Sequence, residues 1–132
     1  MLHQGPVPAV VHGVLEYAVA ILFIVAPFVL GFEATSATAA SLVVGLALLT
    51  FTAMSALPSG LVPSISLGVH VTVDAVFAVL LVALPFMLGF AEEGAPTALF
   101  ITLGVLHLLV TIGTRFPERA TDKGNEGRES AV

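Results

Sequence analysis

Two couples of ionisable residues, each a histidine with a carboxylate four positions later, interrupt long apolar stretches of the chain. They are His12 with Glu16 and His70 with Asp74, and the second couple follows the first by 58 residues. Residues four apart share one face of a helix, so each imidazole should lie one turn from its carboxylate. His107, in another apolar stretch, is a further candidate for the same site.

Three kinds of chemistry are open to these residues. The first is a structural polar clamp, because a buried carboxylate that accepts a hydrogen bond from histidine fixes the register of two helices. The second is a path for protons or ions, since histidine beside a buried carboxylate can exchange a proton near neutral pH. The third is a metal or haem site: His12, Glu16, His70 and Asp74 suit Zn, Mn or Fe, although the i, i+4 spacing alone is a weak signal. A hydrolytic membrane enzyme has no support, because the serines lie in no nucleophile motif, so we expect no catalytic residue. We also expect no cofactor.

The composition is typical of a membrane protein. Of the 132 residues, 58% are hydrophobic and 10% are charged, whereas soluble domains have about 45–50% apolar and 25% charged residues. The mean hydropathy is +1.08. Cysteine is absent, which excludes disulfides and thiolate metal sites. A lipid bilayer is therefore the expected surrounding of this chain.

The distribution of charge predicts the orientation in the membrane. All basic residues follow position 114, and they are Arg115, Arg119, Lys123 and Arg128. The positive-inside rule then places the C-terminus in the cytoplasm. An even number of spans places the N-terminus there too, and it puts the acidic loops at Glu33 and Glu92–Glu93 outside. Nucleic acid is not expected as a partner, because the chain has no basic patch to hold phosphates.

Four apolar segments of transmembrane length must position the candidate residues. We predict helices at about 8–32, 37–57, 66–90 and 96–115, each long enough to cross a hydrocarbon core of about 30 Å. The predicted organisation is an N-terminal segment 1–7, repeat 1 at 8–57, a linker 58–65, repeat 2 at 66–115 and a disordered cytoplasmic tail 116–132. Because each repeat has two spans, both enter the membrane the same way. The predicted fold is thus an all-α membrane protein with four transmembrane helices from two parallel two-helix repeats.

The first helix of each repeat ends in the same motif, Pro-Phe-x-Leu-Gly-Phe. Its proline cannot donate a backbone hydrogen bond and its glycine suits a left-handed cap, so we predict a bent helix end at the membrane boundary. The residues concerned are Pro27, Gly31, Pro85 and Gly89. A broken helix that exposes carbonyls to a transported ion is the alternative, but it requires a break near the midplane. Small residues in the second helix of each repeat, among them Gly45 and Gly104, predict close helix packing.

The candidate residues should lie at one depth in the membrane. Glu16 and Asp74 are each about eight residues inside their helices, roughly 12 Å from the cytoplasmic edge, and His107 reaches a similar level from the end of the fourth helix. We therefore expect three histidines and two carboxylates in one polar layer. The neighbouring hydroxyls in this prediction are drawn from Tyr17, Thr50, Thr72, Thr102 and Thr111.

A histidine–carboxylate couple, an apolar run into Pro-aromatic-x-x-Gly-Phe and a helix that ends in a Leu/Val-Thr step together resemble the SPW-repeat family of small bacterial and archaeal membrane proteins. The resemblance covers about residues 10–115, in two copies. The tripeptide Ser-Pro-Trp is replaced by 26–28 (Ala-Pro-Phe) and 84–86 (Leu-Pro-Phe), and the first carboxylate is Glu16. The resemblance implies the four-helix fold and an integral protein of a prokaryotic plasma membrane, and it lends no mechanism.

The sequence as a whole predicts a small integral membrane protein of structural or partner-binding type, without enzymatic activity. A proton or ion conductor that uses Glu16, Asp74 and the nearby histidines is the alternative, and a metal- or haem-binding membrane protein is a second alternative. Short helices with exposed small-residue faces leave a homo-oligomer or a membrane-protein partner open.

Overall fold

The computed structural model describes residues 5–116, and four α-helices account for most of them. The helices are α1 (Ala9–Val29), α2 (Thr35–Ala53), α3 (Leu67–Met87) and α4 (Gly94–Gly113). Each has 19 to 21 residues and is apolar enough to cross a membrane. Two short parallel strands, β1 (Val7–Pro8) and β2 (Thr114–Arg115), join the start of α1 to the end of α4. The prediction of a helical protein with four helices able to span a membrane is confirmed.

The repeated proline–glycine motif closes α1 and α3 in the same way. These helices end at Val29 and Met87 rather than at about 32 and 90, because Gly31 and Gly89 leave the helical conformation with φ of 62° and 77°. The N–H of the residue after each glycine donates to the carbonyl of the motif's proline, at 3.0 Å in the first repeat and 2.9 Å in the second. This backbone bond satisfies a carbonyl of the last helical turn.

The connection between the repeats is held by backbone hydrogen bonds, and α2 is shorter than predicted. This helix ends at Ala53 rather than at about 57, and the Ala53 carbonyl accepts from the N–H groups of Leu61 and Val62 at 2.8 and 2.9 Å. The carbonyl of Met54 accepts from Ser64 and Ile65 at 2.8 Å. Backbone pairing across the predicted linker therefore competes successfully with the last helical turn.

The end of the described chain also differs from the prediction. Gly113 ends α4, and Phe116, which was predicted to begin a disordered tail, is 1% exposed. Its aromatic ring forms a small apolar cluster with Ala9 and Leu57 beside the start of α1. The rest of the predicted tail, 117–132, and the first four residues lie outside the described residues.

Glycine sets the closest approach between the helices of each repeat. A methyl group on Gly45 of α2 would lie 2.7 Å from the Ala20 carbonyl oxygen of α1. A methyl group on Gly104 of α4 would lie 3.0 Å from the Ala78 carbonyl oxygen of α3. Both contacts join a glycine to a neighbouring backbone, as small residues permit in membrane helices. The predicted close packing at these two glycines is therefore present in the structure.

The two short loops, 30–34 and 88–93, meet at one end of the protein. The carboxylate of Glu93 accepts from the backbone N–H groups of Glu33 and Ala34 at 2.7 and 3.0 Å. These N–H groups precede α2, where helices leave their donors unpaired and favour negative charge. Glu93 therefore caps a helix of the other repeat.

Candidate functional site

The two histidine–carboxylate couples meet inside the protein. Nε2 of His12 lies 3.2 Å from Oε1 of Glu16 and 3.1 Å from Oδ2 of Asp74. Nε2 of His70 lies 3.3 Å from the same oxygen of Glu16 and 3.1 Å from the same oxygen of Asp74. These four atoms form a closed circuit, called here the ring, in which each nitrogen faces one carboxylate of its own repeat and one of the other. The four residues are at most 1% exposed.

His107 approaches the ring from α4. Its Nε2 lies 3.5 Å from Oδ1 of Asp74 and 3.9 Å from Oε1 of Glu16. His107 follows Gly104 by three residues, and Leu48 follows Gly45 by three, so repeat 1 has leucine in the corresponding place. The structure thus brings all five predicted residues together, with one histidine that the duplication does not repeat.

The outer nitrogen of each ring histidine binds a hydroxyl that belongs to the other repeat. Nδ1 of His12 is 2.8 Å from Oγ1 of Thr114, and Nδ1 of His70 is 2.6 Å from Oγ of Ser55. Each hydroxyl donates its own proton to the carbonyl four residues earlier. The hydroxyl oxygens must therefore accept from Nδ1–H. The other imidazole nitrogen, Nε2, faces the carboxylates.

Two threonines bind the carboxylates. Oγ1 of Thr52 lies 3.0 Å from Oε2 of Glu16 and 2.8 Å from the Leu48 carbonyl oxygen, so two acceptors share its one proton. The hydroxyl of Thr111 donates to Oδ2 of Asp74 at 3.5 Å. Thr52, Ser55 and Thr114 were not among the residues predicted from the sequence. A signal was present, because Thr52-x-x-Ser55 and Thr111-x-x-Thr114 are separated by the same 59 residues as Gly45 and Gly104.

Four of the five hydroxyls proposed from the sequence lie elsewhere. Thr111 contacts the ring, but Thr50 and Thr72 are exposed and donate to carbonyls of their own helices. Thr102 is also exposed, and Tyr17 donates to the Ser59 carbonyl at 2.9 Å. The sequence left open which of these hydroxyls face the site, because hydropathy locates a span without its rotation.

Aromatic rings separate the site from its surroundings. Phe51 stacks on His70 with ring centres 5.0 Å apart, Phe116 meets His12 edge-on at 5.3 Å, and Phe77 meets His107 at 5.5 Å. A cavity of about 190 Å³ reaches the site at Asp74. Its lining consists of Ala47, Leu48, Phe51, Val73, Asp74 and Phe77. Asp74 is the charged residue in this otherwise apolar lining.

Two imidazole nitrogens lack an aligned hydrogen-bond partner among residues 5–116. They are Nε2 of His70 and Nε2 of His107. Carboxylate oxygens lie as close as 3.1 and 3.5 Å to them, so distance is not the reason. An N–H group on either nitrogen would point past those oxygens, and hydrogen bonds weaken steeply with such misalignment.

Contacts at both ends of α1 and α3 bear on the arrangement of the repeats. The ring joins the N-terminal halves of these helices, and Glu93 joins the loops that follow them. Matching ends therefore lie together, which favours two parallel repeats. The parallel relation stays a prediction.

The chain matches a known protein family. The family model of the SPW repeat domain matches residues 10–114, which confirms the resemblance predicted from the sequence. No curated protein and no solved structure matches the chain.

Proposed function

We propose that this protein, which belongs to the SPW repeat family, is a small integral membrane protein whose ring of histidines and carboxylates joins its two repeats into one structural unit. One observation carries the proposal: each ring nitrogen lies within 3.3 Å of a carboxylate oxygen of the other repeat. The hydroxyl partners of the histidines also come from the opposite repeat. The protein then serves as a membrane scaffold or partner-binding module, and we propose no enzymatic activity for it.

The lipid environment explains why such a ring holds the repeats together. Between apolar helices in lipid the hydrophobic effect gives little driving force, so packing and polar contacts decide association. Separation of the repeats would leave buried polar groups unpaired, at a cost of several kcal/mol in hydrocarbon. Paired polar groups also fix one register, because another register leaves them without partners.

Proton or ion conduction is the competing function, and isosteric variants separate it from a structural role. Glu16→Gln and Asp74→Asn remove a charge but keep the shape of each side chain. If the ring is structural, both variants should lower the free energy of unfolding by about 1–3 kcal/mol, because a histidine nitrogen loses its charged partner. Melting temperature in detergent and proton uptake into liposomes should be measured on the same preparations.

We expect Glu16→Gln and Asp74→Asn to melt at lower temperatures than the wild type. Liposomes that contain the wild type should take up protons no faster than empty liposomes. Glu92→Gln, which changes an exposed loop carboxylate, is the matched control and should melt like the wild type. A wild type that conducts protons, together with a stable Asp74→Asn variant that does not, would replace the structural function with conduction.

We also propose a prokaryotic plasma membrane as the location, with both termini in the cytoplasm. The charge distribution supports this orientation, because every basic residue follows position 114. The chain has no cysteine, so single cysteines can be introduced without background labelling. An impermeant thiol reagent applied to intact cells should label Glu33→Cys and not Gly124→Cys, with lysed cells as the control for reactivity. The reverse pattern of labelling would invert the topology.

A further inference from the structure

We propose that the ring binds one divalent first-row transition-metal ion, for which Zn²⁺ is the probe. The ligands are Nε2 of His12, Oε1 of Glu16, Nε2 of His70 and Oδ2 of Asp74. This inference rests on the proposed function, because it names what holds the two repeats together at the same site. The four side chains then coordinate an ion instead of forming direct hydrogen bonds with one another.

The dimensions of the ring suit such an ion. Its four atoms all lie within 4.8 Å of one another, and its four N···O sides measure 3.1 to 3.3 Å. A ring with these sides has its centre about 2.0–2.4 Å from each atom, whether it is folded toward a tetrahedron or flat, and Zn–N and Zn–O bonds are about 2.0–2.2 Å. An ion at the centre therefore reaches all four ligands without a change of helix positions.

The lack of an aligned hydrogen bond at Nε2 of His70 favours an ion as its partner. A nitrogen that donates a hydrogen bond points at its acceptor, whereas a metal-bound nitrogen points at the ion and has the other ligands beside it. Nε2 of His70 is 3.1 Å from Oδ2 of Asp74 and yet makes no aligned hydrogen bond with it. Nε2 of His12 is shared between oxygens of both carboxylates, so it points between them. Nε2 of His12 thus points toward the interior of the ring, and Nε2 of His70 has no aligned hydrogen bond that would compete with binding of an ion.

The groups behind the ring complete a metal site. A metal-bound histidine normally donates the N–H of its other imidazole nitrogen to an oxygen acceptor, which fixes the tautomer. Here Thr114 and Ser55 accept from the Nδ1 atoms of His12 and His70. With neutral imidazoles, a dication and two carboxylates have no net charge, which suits a site buried in a membrane protein. The unpartnered Nε2 of His107, 3.5 Å from Oδ1 of Asp74, lies beside this site and can bind an ion or a ligand on it.

The first test measures metal on the full-length protein purified without chelator. Elemental analysis should find about one transition-metal ion per chain. After removal of the ion, Zn²⁺ should bind with a stoichiometry of one and raise the melting temperature, because a ligand of the folded state stabilises it. Co²⁺ should bind at the same site and give visible d–d absorption, and Zn²⁺ should displace it.

The second test uses a variant that keeps all four ligands. Thr114→Ala removes the acceptor behind His12 and should weaken Zn²⁺ binding about 10–100-fold, as loss of such outer partners does at known sites. Thr72→Ala is the matched control, because the Thr72 hydroxyl is exposed and bonds only within its own helix. Competition with a chromophoric chelator gives both affinities. Asp74→Asn should lose stoichiometric Co²⁺ absorption.

The outcomes separate this proposal from the structural function. A wild type with neither bound metal nor saturable Co²⁺ absorption overturns the metal site, while destabilised Glu16→Gln and Asp74→Asn variants would still support the structural ring. Equal Zn²⁺ affinities of wild type, Thr114→Ala and Asp74→Asn would place the ion elsewhere and also overturn the proposal. If an Asp74→Asn preparation is unfolded, the comparison of Thr114→Ala with Thr72→Ala decides.

Discussion

Replacement of His12 with alanine should lower the free energy of unfolding by about 3–5 kcal/mol, because it leaves two buried carboxylates without one of their polar partners. Nε2 of His12 lies within 3.2 Å of both carboxylates, and the two carboxylate residues are each only 1% exposed. The Thr114 hydroxyl loses its donor in the same variant. Thermal unfolding in detergent, followed by circular dichroism, measures the loss.

The duplication supplies two controls for this variant. His70→Ala should cost the same as His12→Ala, since His70 has the equivalent contacts with Glu16 and Asp74. His107→Leu should have a small effect, because repeat 1 already carries leucine at the corresponding position and Nε2 of His107 makes no aligned hydrogen bond. If His107→Leu were as harmful as His12→Ala, the ring would not be the main contact between the repeats.

The same duplication explains how much of the site could be predicted. The spacing of four residues placed His12 above Glu16 and His70 above Asp74 on one helix face, and equal depth in two copies brought the couples to one level. Both inferences need only helix geometry and the repeat. The family and the four apolar helices could also be predicted, because motifs and hydropathy are local properties of the sequence.

The partners of the ring could not be predicted in this way. Thr52 and Thr50 are both hydroxyl residues near the end of the same helix, and only the rotation of α2 decides that Thr52 faces Glu16. That rotation depends on the contact of Gly45 with the α1 backbone, which is a tertiary interaction. Ser55 lay near the end of the second predicted helix, and the backbone bonds that end α2 earlier appear only when residues 53–65 are folded.

The capping of α2 by Glu93 was also beyond the sequence. A carboxylate in a loop between two spans is normally in contact with water, and hydropathy assigns it no partner. Its contact with the N–H groups of Glu33 and Ala34 requires both loops to lie at the same end of the protein. The position of Glu93 thus depends on how the repeats are arranged, which the chain order does not reveal.

At the loop end of the protein, Phe100→Ala should destabilise the fold as strongly as the substitutions in the ring. The Phe100 side chain is fully buried, and its ring meets those of Phe23 and Phe90 edge-on at 5.1 and 5.3 Å. Removal of a buried phenylalanine ring costs about 3–5 kcal/mol, because the cavity loses packing contacts that lipid does not restore. Phe86→Ala is the control, since Phe86 is 64% exposed, and it should change stability by less than about 0.5 kcal/mol.

Metal binding tells whether the packing of Phe100 against Phe23 and Phe90 affects the ring. Phe100 precedes His107 by seven residues, or about 10 Å along α4, and substitutions at such separations usually contribute independently. A folded Phe100→Ala protein should therefore melt at a lower temperature than the wild type and still bind Zn²⁺ with the wild-type affinity. Melting curves with and without Zn²⁺ on Phe100→Ala and Phe86→Ala measure both quantities. A loss of Zn²⁺ affinity in Phe100→Ala would instead show that the loop end of the bundle positions the ligands of the ring.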